Sequence, residues 1–437
     1  CGFKFSTSSS IHKTLILFII LYLIKEIFYF LHFNKTLFND PIYGFISIES
    51  KLILELINHK FFQRLRRISQ MGLSNLVYPG AHHTRFEHAL GSLHLMQKVI
   101  YTLKHKGVLI SKDENEAMQI AILLHDIGHG PFSHATENIL LKEINHEIIS
   151  LNIIKLLNEE MKGKLSLAIE IFTNKYKRKF MYQLVSGQID VDRLDYLKRD
   201  SFYTGVAEGN INVERIITMM NVESEKLVFE SKALHSLEKF LLARRLMYWQ
   251  VYLHKTSLAA ELILEKLFQR YSDLIKKGYN DESTPKIKTL ISLNLSNQKI
   301  PNEILNYYLE IEDYEVFFLI KNWQKNDDDV LRNLSNQLIK RRLPKIKIQD
   351  HPFTKNQIDT QLQSLKKNSN VENQNFYVFT GSISNQTYRS DNSQIFLKDK
   401  VGVVKPINKL IDYLDFKEFS EPIFRYYLCY PKDIYSL

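Results

Sequence analysis

Cysteine is almost missing from this 437-residue chain, where only Cys1 and Cys429 occur. Two thiols cannot build a disulfide framework or a thiolate zinc site, so any metal must be held by His, Asp or Glu. A clean membrane-length apolar run is also missing. "TLILFIILYLI" (Thr14 to Ile24) stops at Lys25 and Glu26 before "IFYFLHF" resumes, short of the roughly 18 residues a span needs. No methionine precedes Met71, and the chain opens on Cys1. The first 36 residues therefore have three readings: a signal-like or anchoring segment, a marginal membrane helix, or translated AT-rich DNA that is not native. The last is the expectation, since non-coding AT-rich DNA would also read as Phe, Ile, Leu, Lys and Tyr. Cytoplasmic location follows from it, with tethering through residues 11–33 as the alternative. Acidic residues are in deficit, 48 against 58 basic, for a net charge of +10. That balance favours anionic partners such as nucleotides, nucleic acid or acidic membranes without choosing among them.

What is present is the composition of a folded protein, 45% apolar and 24% charged. Residues 50 to 277 read as almost continuous helix, with no internal repeat. Ser111 and Glu114 form a capping box ahead of "AMQIAILLHDI", a nearly all-apolar stretch suited to a buried central helix. "TRFEHALGSLHLMQKVIYTLKHKG" and "NHEIISLNIIKLLNEEMKG" show helical periodicity and stop at Gly107 and Gly163. Ala233 to Lys277 reads as a long helix with one break. Beyond Gly278 the composition changes: "YNDESTP" reads as a linker and "KKNSNVENQN" as a loop. "DYEVFFLIKNW" and "DDDVLRNLSNQLIKRR" read as helices, whereas "LPKIKIQ", "NFYVFTG", "SQIFLKD" and "FRYYLCYP" read as strands. The expected fold is mainly α, with a helical core over 37–277 and a smaller α+β domain over 278–437.

The chemistry concentrates in "HDIGHGPFSHATE". His125 and Asp126 close an apolar helix, where a carboxylate is costly unless paired or metal-bound. Both can turn toward one divalent cation, with His129 over the same face. His88 of "RFEHALG" and Asp192 of "DVDRLDYLKRD" supply two further ligand types from other helices. Two histidines and two carboxylates leave positions open on a six-coordinate metal for water and a phosphate oxygen. Taken singly, each histidine is more simply a surface or core residue. Gly128, Gly130 and Pro131 are expected to let the backbone bend within the motif.

In order, "FQRLRRISQMGLSNLVYPGAHHTRFEHALG", "LLHDIGHGPFSHATE" and "DVDRLDYLKRD" resemble the HD-domain deoxynucleoside triphosphate triphosphohydrolases. The similarity begins near Phe38 and covers most of the chain, although nothing here resembles a SAM domain. It implies the HD-domain helical fold and a metal held by His88, His125, Asp126 and Asp192, the same four residues; the cation could be Mg, Mn, Fe, Ni or Zn. It implies catalytic and phosphate-contacting roles for His129, His134, Glu137 and His146. His134 and Glu137 are three apart and so share a helix face, where the carboxylate would orient the imidazole. Triphosphate contacts fall on Arg85, Arg193 and Arg244, Arg193 replacing a lysine of some relatives. Gln70 and Asp200 match residues that bind the sugar 3′-hydroxyl. Tyr196 stands where a ring would clash with a 2′-hydroxyl, and Tyr252 where one packs on sugar and base.

The same resemblance implies a homotetramer regulated by nucleotides. Arg66, Lys255, Arg341 and Lys345 match cationic regulatory positions, and Arg215 and Lys232 match less closely. "LIKRRLPKIK" reads equally as a solvated basic face. Asn58 stands where the guanine-selecting vertebrate member has an aspartate, and Thr36 where it has a lysine, which argues against a strict GTP requirement. Two other functions compete: an HD phosphohydrolase for another nucleotide or phosphodiester, and a non-catalytic nucleic-acid or nucleotide-binding protein. The latter has no need of an open metal position.

Overall fold

The computed structural model describes residues 35–132, 134–142, 144–279, 285–293, 300–368, 373–385, 394–409 and 421–432. The apolar N-terminal run and most of the expected linker lie outside them. The described chain starts with a hairpin, β1 (Thr36–Asp40) against β2 (Gly44–Ile48), and continues into α1 (Lys51–Asn58). Helices then dominate: α2 (Arg85–His105), α3 (Lys112–Leu123), α4 (His134–Leu140), α5 (His146–Glu160), α6 (Ser166–Phe172), α7 (Lys179–Val185), α8 (Val191–Thr204) and α9 (Val213–Thr218).

Local chemistry explains their limits. The Ser111–Glu114 capping box starts α3 as expected, and Thr84 with Glu87 forms a second one ahead of α2. Gly107 and Gly163 take φ of +86° and +85° just past their helices, a conformation that costs glycine little. The α2 and α3 side chains are buried around most of the circumference, among them Leu93, Met96, Val99, Met118, Ile122 and Leu123. They form the centre of the molecule.

The expected continuous helix is interrupted by strands. A hairpin of β3 (Met220–Glu223) and β4 (Lys226–Glu230) follows α9. Its turn residues, Ser224 and Glu225, have φ of +48° and +60°, the left-handed pair that a tight hairpin turn requires. The long stretch beyond reads as predicted, helix with one break: α10 (Leu234–Met247), a single π turn over Tyr248–Tyr252, and α11 (Lys255–Lys276).

After the linker come α12 (Pro285–Ser292), α13 (Asn302–Leu309), α14 (Asp313–Trp323), α15 (Asp329–Ile339), β5 (Lys345–Gln349), α16 (Lys355–Asn368), β6 (Phe379–Asn385), β7 (Phe396–Lys398), β8 (Val404–Pro406) and β9 (Ile423–Tyr430). These strands form two small sheets, β3-β4-β7-β8 and β5-β9-β6. Strand β7 runs parallel to β4 through Phe229↔Leu397, so one sheet draws on both sides of the linker. Among the described residues, one large apolar cluster extends from Ile46 to Leu428, and a second, small one joins Leu258, Leu262, Ile346 and Cys429. Among the described residues, no helix is long and apolar enough to cross a membrane.

Candidate active site

The end of α3, the first turns of α2 and the start of α8 converge. His88 Nε2 lies 3.1 Å from Asp192 Oδ1 and 3.8 Å from Asp126 Oδ2, and His125 Nε2 lies 3.4 Å from both Asp126 Oδ1 and Asp192 Oδ1. The two imidazoles meet edge to face with centroids 5.4 Å apart. Their Nε2 atoms are buried without a well-formed hydrogen bond, an arrangement that is costly unless a cation receives both lone pairs. The other ring nitrogens are committed. His88 Nδ1 is 2.8 Å from Asp195 Oδ2, and His125 Nδ1 is 2.6 Å from the Ile122 carbonyl. Donation from Nδ1 fixes the tautomer that leaves Nε2 as a ligand. His88, His125 and Asp192 present ligand atoms close enough to share one divalent cation, whereas Asp126 groups with His129 and His146.

The site's charges are strongly biased. Burial opposes a charge on His88, but Asp192 and Asp195 outweigh it and raise its pKa to about 10. Burial likewise opposes ionisation of Asp126, yet His125, His129 and Arg85 hold it well below the usual carboxylate range. The cluster demands positive charge, as a metal pocket must. Close by, His129 and His146 stack with centroids 3.9 Å apart and are pushed in opposite directions. Burial and then Arg85 drive His129 down, whereas the Glu137 hydrogen bond overcomes burial and raises His146. Glu137 Oε1 accepts from the His146 backbone N–H at 2.6 Å and sits 2.8 Å from its Nδ1. His134 opens α4, but its side chain lies outside the described residues, as does any pairing with Glu137.

His125, Asp126, His129, His146 and Asp192 line a cavity of 640 Å³. Arg85, Arg193 and Arg244 line it, together with Gln70, Tyr196, Asp200 and Tyr252, which brings every expected substrate residue to one space. Arg85 pairs with Asp126, and Arg193 with Asp190, the N-cap of α8. Tyr252 donates to Asp200 Oδ2 at 2.7 Å and meets Tyr196 edge on at 6.1 Å.

Comparison with known proteins agrees with this geometry. An HD domain is matched over residues 85–200 and an HD-associated region over 211–284. A solved phosphohydrolase structure from Bacteroides thetaiotaomicron has a TM-score of 0.86 at 42% identity, covering 91% of this chain and 100% of that one. The chain belongs to the HD-domain phosphohydrolases. An uncharacterized protein of Bacillus subtilis is 29% identical over 418 residues, 92% of this chain and 93% of its own length. A relative named deoxynucleoside triphosphate triphosphohydrolase, from Dictyostelium discoideum, is 30% identical over 262 residues, 56% of this chain and 51% of its own length.

Several residues of this HD-domain site were not singled out from the sequence. Asp195 is fully buried and holds His88, while Arg199 clasps Asp195 at 2.9 and 3.0 Å and reaches Asp40 at 2.8 Å. The i,i+4 spacing of Asp195 and Arg199 was a readable signal; the link to His88 on another helix was not. Tyr182, Tyr248, Glu261 and Ile383 also line the cavity, the last from β6. The chain turns through the motif, and its glycines also serve packing. Neither has a positive φ, which falls instead on Phe132 at +52°. A Cβ on Gly128 would lie 2.3 Å from Ser150 N, and one on Gly130 2.7 Å from the Tyr308 hydroxyl. Both permit close packing.

The expected regulatory cations lie elsewhere, exposed and outside the cavity lining. Arg66 stacks on Phe86 at 3.6 Å, Arg215 donates to the Lys232 carbonyl at 3.1 Å, and Arg341 donates to the Leu76 carbonyl at 2.8 Å. Lys255 begins α11 and Lys345 begins β5. Asn58 is exposed at the end of α1, and Thr36 begins β1.

Proposed function

We propose that the chain hydrolyses deoxynucleoside triphosphates to deoxynucleoside and inorganic triphosphate. The supporting observation is that His125, Asp126 and Asp192, three arginines and the Gln70, Tyr196, Asp200 and Tyr252 wall line one cavity, with His88 directly behind Asp192. Its volume of 640 Å³ falls within the ordinary range for small-molecule pockets. Held by His88, His125, Asp126 and Asp192, a divalent cation would supply Lewis-acid polarisation and a bound water of lowered pKa. Arg85, Arg193 and Arg244 neutralise the triphosphate and fix its α-phosphorus over the cluster. A water oxygen bonds to that phosphorus as the bond to the sugar O5′ breaks. His146, held protonated by Glu137, gives its proton to O5′, and His134 is the alternative donor. Tyr196 and Tyr252 pack on the deoxyribose, while Asp200 accepts from its 3′-hydroxyl and the Gln70 amide donates to the hydroxyl oxygen.

Regulation by a bound nucleotide and assembly into a homotetramer belong to the same proposal, through Arg66, Arg215, Lys232, Lys255, Arg341 and Lys345. Purified protein with Mg²⁺ or Mn²⁺ and each deoxynucleotide, singly and mixed, should release triphosphate. Pyrophosphate or orthophosphate as sole product would instead identify a phosphohydrolase of another specificity. Activity confined to mixtures would demonstrate nucleotide activation. A folded Asp126→Ala variant with unchanged turnover would contradict the metal role.

A further inference from the structure

His83 takes no part in the chemistry above, yet it is buried beside the sugar-facing wall. Its Nε2 is 2.7 Å from Asp200 Oδ1, while Tyr252 donates to the other oxygen at 2.7 Å. Its backbone carbonyl accepts from the Gln70 N–H at 3.0 Å. His83 is thus bonded to the Asp200 carboxylate through its ring and to the Gln70 backbone through its own. The ring is held flat against Tyr203, with centroids 4.4 Å apart and planes 12° from parallel. The loop ahead of it sits tightly on the same residue, since a Cβ on Gly80 would lie 2.6 Å from the Tyr203 carbonyl oxygen. Asp200 and Gln70 line the cavity, and His83 is absent from its lining.

We propose that His83 is the positioning residue for sugar recognition: its Nε2 fixes the Asp200 carboxylate that accepts from the 3′-hydroxyl, and its backbone carbonyl anchors the chain at Gln70 beside it. This rests on the deoxynucleotide reading. A carboxylate oxygen accepts more than one hydrogen bond, so Asp200 Oδ1 and Oδ2 keep capacity for substrate after binding His83 and Tyr252. Donation from His83 Nε2 supplies the one hydrogen bond that this geometry needs. Held on two sides, the carboxylate cannot rotate, and orientation of this kind contributes to transition-state binding only where the substrate carries the matching hydroxyl.

The test compares kcat/KM for a deoxynucleoside triphosphate with that for its 2′,3′-dideoxy analogue. The wild-type protein should favour the 3′-hydroxyl substrate by roughly ten-fold or more. His83→Ala, with folding checked by circular dichroism, should bring the ratio toward one by slowing the hydroxyl-bearing substrate, while the dideoxy rate stays near wild type. His83→Gln, whose side-chain amide can donate to Asp200, should restore much of the ratio. Tyr203→Leu removes the stacking partner without touching Asp200 and should lower the ratio as well, which covers the case of an unfolded alanine variant. A folded His83→Ala or Tyr203→Leu variant with an unchanged ratio, or with both rates reduced equally, overturns the inference. No triphosphate release from any deoxynucleotide by the wild-type protein overturns the deoxynucleotide reading and this inference with it.

Discussion

Asp195 lies outside the cavity lining, yet His88, proposed above as a metal ligand, depends on it for its orientation. Carboxylates behind ligating histidines set tautomer and basicity, and their loss weakens metal binding by roughly 10- to 100-fold. Asp195→Asn should therefore lower bound metal at limiting cation, measured by elemental analysis of the dialysed protein. It should also lose stability, because Arg199 is left buried beside an amide. A second expectation concerns protons. Glu137 raises His146 against the effect of burial, and the donating form of a histidine is lost as pH rises through its pKa. Glu137→Gln should therefore move the basic limb of the kcat/KM profile to lower pH, and an unmoved limb would assign the proton to another group. At this scale the motifs were legible, because His88, His125 and Asp192 are ligand types in recognisable surroundings and come together in the structure, with Asp126 beside them. Asp195 and His83 were not, since their roles depend on partners 107 and 117 residues away.

The elements meet where one side chain is missing. A Cβ on Gly91 in α2 would lie 2.0 Å from Asp195 Oδ1 and 2.2 Å from Arg199 Nη2 on α8. Gly91 therefore sets how closely the helices carrying His88 and Asp192 approach. Gly91→Ala should cost about 3 kcal/mol in denaturant unfolding, despite alanine's better helix propensity, because overpacking and a displaced buried ion pair both oppose it. A neutral or stabilising result would show that the crossing can relax. Helix ends such as Ser111–Glu114 and Gly107 were readable from local chemistry. The β3–β4 hairpin was hidden: each strand is only four or five residues long, and its turn is Ser224–Glu225 instead of the Asn-Gly or Asp-Gly pair that announces a hairpin.

For the whole molecule, the apolar cluster is continuous from Ile46 to Leu428, and β4 and β7 pair across the linker. Unfolding should therefore be one cooperative transition, with far-ultraviolet circular dichroism and tryptophan fluorescence changing together. Separated midpoints would show that the regions before and after the linker fold independently. The composition change near Gly278 was plain in the sequence, whereas the pairing of Phe229 with Leu397 was not, because nothing local specifies a partner so distant.

The π turn over Tyr248–Tyr252 sets the angular phase of the cavity wall. Arg244 and Tyr252 are eight residues apart, and on an unbroken α-helix they would point roughly 80° away from each other. A wider turn rotates the chain less per residue, which lets the arginine and the tyrosine face the same space. Closing this turn into ordinary α-helix at unchanged length would thus swing Tyr252 away from Arg244 while every side chain remains in the protein, whereas deleting Trp249 as well would leave the two seven residues apart, roughly 20° out of phase and back on one face.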